Sequence, residues 1–211
     1  PNVLKRPILH LVNALYIKPL LAEDQWALEA EQEEIRAALP EDSPLMDWRA
    51  EDALPMFGED LSDEEEYLLA VAEHVSDSRL NTYNVWRVQR EVAWYENPPK
   101  DLDLRSTSPR RFRKALLTKL DDHHQLALLS EAIDLGLARP SVSPFSTTRE
   151  SHDWYHGIDN AVGLISAQGC LAAQSGDSER ALLEAKRLLA WHQQLRASPL
   201  PRMHVASSRC L

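Results

Sequence analysis

His152 and His156 stand four residues apart, so a helix carrying both presents their imidazoles on one face. That spacing can hold a transition metal, and Asp153 and Asp159 are near enough in sequence to add oxygen ligands. The residues between the histidines lack the glutamate that a zinc-hydrolase helix uses as its base. Packed or solvated histidines are therefore the simpler expectation. Metal binding at His152 and His156, in a metal-binding protein or a metal-dependent enzyme, is the alternative.

Asp121-Asp122-His123-His124 is a second polar knot. Adjacent residues point in different directions around a helix and cannot converge on one ion, so a bend or a polar contact between helices is expected. Arg105, Arg110, Arg111, Arg113, Lys114 and Lys119 form a basic cluster with Phe112 as its one interleaved aromatic, a poor nucleic-acid surface. It is expected to face the acidic part of the chain or a partner. Cys170 lies beside Gly169 among small residues, which suits packing better than nucleophilic attack. With Cys210 it makes two thiols, too few for a disulfide framework. Free thiols are expected, and a single Cys170–Cys210 bridge stays open because it depends on geometry. Phosphate-cradling glycine loops, G-x-S-x-G and dinucleotide signatures are absent from the sequence. No catalytic residue and no cofactor is assigned.

Charge narrows the choice of partners. The 211 residues carry a formal net charge of -10, unevenly spread. Residues 23–66 hold 17 acidic and 2 basic residues, whereas residues 67–211 hold 16 and 18. So acidic a chain repels phosphates, which argues against general nucleic-acid binding. A protein partner is expected instead.

The elements that must position these groups are helical. Glycine is scarce, at 6 residues, and Ala, Leu, Glu and Arg, all good helix formers, are abundant. No useful stretch alternates apolar and polar residues, so the fold class is all-α, an irregular multi-helix bundle. Residues 22–39 read as a Glu-rich helix ended by Pro40. Residues 40–61, with Pro40, Pro44, Pro55 and Gly58, read as an acidic connector pinned by Trp48, Leu54, Met56 and Phe57. Ser62 and Glu65 form a capping box before a stripe of Leu68, Val71, Ala72 and Val75. Asn81 caps a helix with Val85, Val88, Val92 and Tyr95 on one face, stopped at Asn97-Pro98-Pro99. Ser108-Pro109 starts a basic helix through Phe112, Leu116 and Leu120. It bends near 121–124 and resumes through Leu126, Leu129, Ile133 and Leu137, with Gly136 near its end. Residues 139–147 are the clearest linker. Thr148 or Ser151 caps a long helix with Trp154, Ile158, Ala161, Ile165 and Ala172 on its stripe. After a turn at Gly176, the last helix sets Leu182, Ala185, Leu189 and His192 on one face. The six tryptophans are expected to be mostly core, with one or two lining a groove.

The segment Ala172-Ala173-Gln174-Ser175-Gly176-Asp177-Ser178-Glu179-Arg180-Ala181-Leu182 resembles one tetratricopeptide-type helical hairpin. Small residues let antiparallel helices approach and glycine turns the chain back. An array of such repeats needs about three units, and a single unit is visible. Residues 16–75, with Ile35-Arg36-Ala37-Ala38 and the acidic Pro-containing connector, resemble uncharacterised bacterial envelope proteins, as does the tail 188–199. The resemblance implies one N-terminal membrane anchor and a helical extracytoplasmic, periplasmic domain. It implies no activity. The chain opens at Pro1, read as a start from which a leader or anchor has been removed. The apolar stretch 8–21, broken by His10, Asn13, Lys18 and Pro19, reads as a packed helix or a membrane-proximal remnant. Three regions follow: 1–21 apolar and membrane-proximal, 22–139 acidic and helical, and 148–211 a helical hairpin, within one structural domain. The leading reading is a non-enzymatic helical protein-interaction or scaffold domain, extracytoplasmic in setting with a cytoplasmic alternative. A membrane-surface domain is the remaining reading.

Overall fold

Helix α1 (Lys18–Ala37) begins four residues before the expected start. Pro19 sits in its first turn, where the missing N–H has no intrahelical acceptor to lose. The computed structural model describes residues 18–58, 61–77, 102–103, 107–140, 150–196 and 210; at 18–25, 74, 76–77 and 150–153 the description stops at the backbone. The expected helix from Asn81, Trp86, Trp94, Arg105, the segment 141–149 with Thr148, and residues 1–17 all lie outside the described residues.

The expected connector 40–61 contains regular structure: helix α2 (Ala50–Ala53) and a 3-10 turn at Pro55–Phe57. Trp48, Leu54 and Phe57 are buried and pin it as expected, but Met56 is exposed. Helix α3 (Asp63–Asp77) opens with the anticipated box. The Ser62 amide and hydroxyl donate to Glu65 Oε2 at 2.9 and 2.6 Å, and the Glu65 amide donates back to Ser62 Oγ at 3.4 Å. Leu68, Val71, Ala72 and Val75 are buried.

Helix α4 (Pro109–Asp121) buries Phe112, Leu116 and Leu120. Ser108 occupies its N-cap position, but its hydroxyl makes no capping bond. The bend expected near residue 122 is a full break. His123 is extended, and its Nδ1 accepts from the Leu126 amide at 3.2 Å to cap helix α5 (His124–Leu135). Helix α6 (Glu150–Ser175) and helix α7 (Ser178–Arg196) then form the expected antiparallel hairpin. Both α5 and α6 end on a left-handed glycine, Gly136 (φ 84) and Gly176 (φ 89). In each, the next amide donates five residues back: Leu137 to Ala132 O at 2.8 Å, Asp177 to Ala172 O at 2.9 Å. The described residues contain seven α-helices and no strand.

Helix α6 is the axis on which α3, α4, α5, α7 and the 55–57 turn all pack. One buried cluster takes in Leu45, Val71, Leu116, Ile133, Ile165 and Leu195. Two α6 side chains hold the connector: Trp154 Nε1 donates to Glu51 O at 3.1 Å, and Asn160 Nδ2 to Phe57 O at 2.7 Å. From α1, Gln32 Nε2 reaches Arg139 O at 2.9 Å, so the start of the expected linker is held down.

The face buried by α7 differs from the expected one. Leu182, Ala185 and Leu189 point outward, while Glu184, Trp191 and Leu195 are buried. Polar contacts set this rotation. Arg187 grips the Asp134 carboxylate of α5 at 2.8–3.1 Å and holds Glu184 at 3.1 Å. Trp191 Nε1 donates to Ala138 O at 3.0 Å, and Gln194 Nε2 to Ile133 O at 2.7 Å. Trp154, like Trp48 and Trp191, is core, whereas Trp26 is exposed.

Candidate basic groove

Arg110, Arg113, Lys114 and Leu117 recur at the spacing that shares one face of a helix. That face of α4 opposes Leu171, Gln174 and Ser175, which recur the same way near the end of α6. Between them lies a cleft of about 670 Å³, with Arg111 at its edge. The two helices run antiparallel here, as Arg113 bonds Gln174 (3.5 Å) and Asp121, two turns on, accepts from Gln168 (3.2 Å). Leu171 is buried and Leu117 half-buried, so the floor is apolar; Arg110, Arg111 and Lys114 are exposed at the rim.

Asp121 of α4 and Glu64 of α3 are committed elsewhere. Asp121 is chelated by the two terminal guanidinium nitrogens of Arg180, Nη1 standing 2.8 Å from Oδ2. Glu64 of α3 takes Lys119 at 2.7 Å. The basic cluster is thus divided: Lys119 meets the acidic segment as expected, while Arg110, Arg111 and Lys114 have no side-chain partner among the described residues. The positive end of α4 lies at the same mouth and adds to the field. Guanidinium groups grip carboxylates or phosphates bidentately, so the rim of the cleft is chemically suited to an anion. The lining supplies no activated nucleophile, since Ser175 Oγ donates to Ala172 O at 2.8 Å.

The residues singled out for metal lie elsewhere on α6. His156 is exposed on α6, edge-on to Tyr155 at 5.9 Å, and Asp159 is half-buried. The side chains of His152 and Asp153 lie outside the described residues. Among the described residues no group of three or more His, Cys, Asp or Glu is placed to hold a metal. The 121–124 knot forms contacts between helices, as expected. Beyond Asp121, His123 stacks on Phe57 with ring centres 6.0 Å apart, and its Nε2 lies 4.0 Å from Glu65. Cys170 and Cys210 are free thiols, and burial pushes both up, Cys210 to about 12, so neither is a ready nucleophile. Sequence reasoning found the cations of the groove but missed Leu117, Leu171, Gln174 and Ser175. Their one local signal is the shared helical spacing, which core residues also show.

No described helix is long and apolar enough to cross a membrane. No family model matches the chain, and no solved structure does. Over 33 residues the chain is 58% identical to a 4β-methylsterol monooxygenase of Methylococcus capsulatus. The match takes in 16% of this chain and 9% of that enzyme, a stretch too short to show a family or an activity.

Proposed function

We propose that this chain is a non-enzymatic helical protein-interaction domain whose docking surface is the groove between α4 and α6. The observation that carries the reading is the set of three cations, Arg110, Arg111 and Lys114, left unpaired above an apolar floor in a chain of net charge -10. Exposed cations beside an apolar floor suit a partner that supplies both carboxylates and aliphatic surface. The hairpin of α6 and α7 serves as the rigid wall of the groove, and its small-residue packing supports a tetratricopeptide-like comparison. Gly169 is one contact of that kind, where a Cβ would stand 3.3 Å from Glu184 Cβ. The setting we propose is the bacterial envelope, on the resemblance of residues 16–75 and 188–199.

Site-specific photo-crosslinking tests the reading. A photoreactive residue at Lys114, in the full chain in its native host, is expected to give one dominant protein adduct. Arg111→Glu is expected to abolish it. Adducts that are absent, or unchanged by Arg111→Glu, refute the groove as a docking surface.

A further inference from the structure

We infer that the occupant of the groove is an acidic, amphipathic peptide segment of the partner protein, carrying clustered carboxylates and a neighbouring aliphatic side chain. This rests on the docking reading above and names the chemistry of what docks.

Charge is the first argument. Arg110, Arg111 and Lys114 fall within five consecutive residues of α4, about 6 Å of helix rise. A single carboxylate leaves most of that charge unanswered, whereas two or three along a peptide match it. Among the described residues no carboxylate answers these three cations, and Asp121, Glu64 and Asp134 are bound to Arg180, Lys119 and Arg187.

Shape is the second argument. The cations sit at the rim, and the apolar floor of Leu117 and Leu171 lies one helical turn further along, about 4–5 Å beyond Lys114. An occupant must therefore be anionic at one point and aliphatic about one turn away. A helical segment with acidic residues and a leucine on one face meets both demands. Inorganic phosphate answers the rim but leaves the floor wet. A flat anionic bilayer answers the exposed cations but leaves the half-buried Leu117 between the helices uncovered. The cleft, at about 670 Å³, is of a size that sequesters side chains.

Fluorescence anisotropy on the full chain tests this with labelled peptides. The reference probe is a short helix-forming peptide with glutamates and leucines on one face. Its variants carry Gln for Glu, Ser for Leu, or phosphoserine for Glu. Vesicles of phosphatidylglycerol form a separate arm. The reference peptide is expected to bind, with affinity falling roughly tenfold or more for the Gln variant, for the Ser variant and for Arg110→Glu or Arg111→Glu protein. Binding is expected to weaken as salt is raised. Circular dichroism checks that these surface variants remain folded. Equal binding of the Gln peptide overturns the acidic partner. Equal binding of the Ser peptide overturns the aliphatic contact. Binding confined to the phosphoserine peptide or to vesicles overturns the inference in favour of those ligands. If no probe binds while the Lys114 adduct forms and depends on Arg111, the docking reading stands and this inference falls. If both fail, the groove is not a docking surface.

Discussion

Gly157 of α6 and Leu54 of the connector meet backbone to backbone. A Cβ on Gly157 would overlap the Leu54 carbonyl oxygen and stand 2.6 Å from its carbon, closer than real Cβ contacts come. Three residues to either side, Trp154 and Asn160 donate to connector carbonyls, so the glycine is the gap through which the two backbones approach. Gly157→Ala must push α6 off the connector and is expected to cost about 1–3 kcal/mol. A thermal melt indistinguishable from wild type refutes this contact.

Among the described residues, Arg187 alone hydrogen-bonds the Glu184 carboxylate, whose side chain is 3% exposed. Arg187→Met strands that charge and is expected to cost about 3–5 kcal/mol in urea unfolding. The double variant Glu184→Gln/Arg187→Met is expected to recover part of the loss. A double variant as unstable as the sum of the single changes refutes the coupling.

The outward rotation of α7 gives a contrast within one helix. Leu182→Lys and Leu189→Lys are expected to change stability by less than about 0.5 kcal/mol. Leu195→Ala is expected to cost about 2–5 kcal/mol, because Leu195 is fully buried. Similar costs at all three positions refute the assigned rotation. Here the sequence was misleading for a physical reason. Leucines at 182, 183, 188 and 189 allow two competing stripes, and the true one contains Glu184, which reads as solvent-facing until Arg187 and Asp134 are brought beside it.

The Glu65 carboxyl is held below its ordinary value of 4.5 by the Ser62 hydroxyl and amide, with the nearby His123 assisting. Because the native value is the lower one, the cap's contribution is whole above pH 4.5 and is lost as pH falls through the native value. Wild-type stability is therefore expected to fall more steeply than that of Glu65→Gln on acidification. At neutral pH the Gln variant is expected to be weaker by about 0.5–1 kcal/mol. An NMR titration of Glu65 with its midpoint at or above 4.5 refutes this.

Thiol reactivity reads the burial of the two cysteines. With burial pushing its thiol up to about 12, Cys210 holds almost no thiolate at pH 8. A disulfide reagent is expected to label half-buried Cys170 first and Cys210 slowly, with both reacting at once in denaturant. Equal native rates refute the burial of Cys210.

What could be read from the chain alone were features written locally. The Ser62 box, Pro109 at a helix start, Gly136 and Gly176 each act on residues within one turn, and each stands where it was expected. The core stripes of α3, α4 and α6 were legible because their apolar spacing is unambiguous. The groove was half legible. Its cations are contiguous, but Arg113 and Gln174 are separated by 61 positions, so nothing local shows that the cations have an apolar floor. The interruption at 121–124 was legible, but not its completion into a break, because histidine is an uncommon cap.

The bonds from Trp154 to Glu51 and from Asn160 to Phe57 each join positions 103 apart. At a synthesis rate of about 5–20 residues per second, the connector waits roughly 5–20 s on the ribosome for the helix that receives it. During that interval Leu54 and Phe57, which end up almost fully buried, have no native cover from α6. The growing chain thus passes through a stage in which its apolar connector is open to chaperones, and the arrival of α6 closes it.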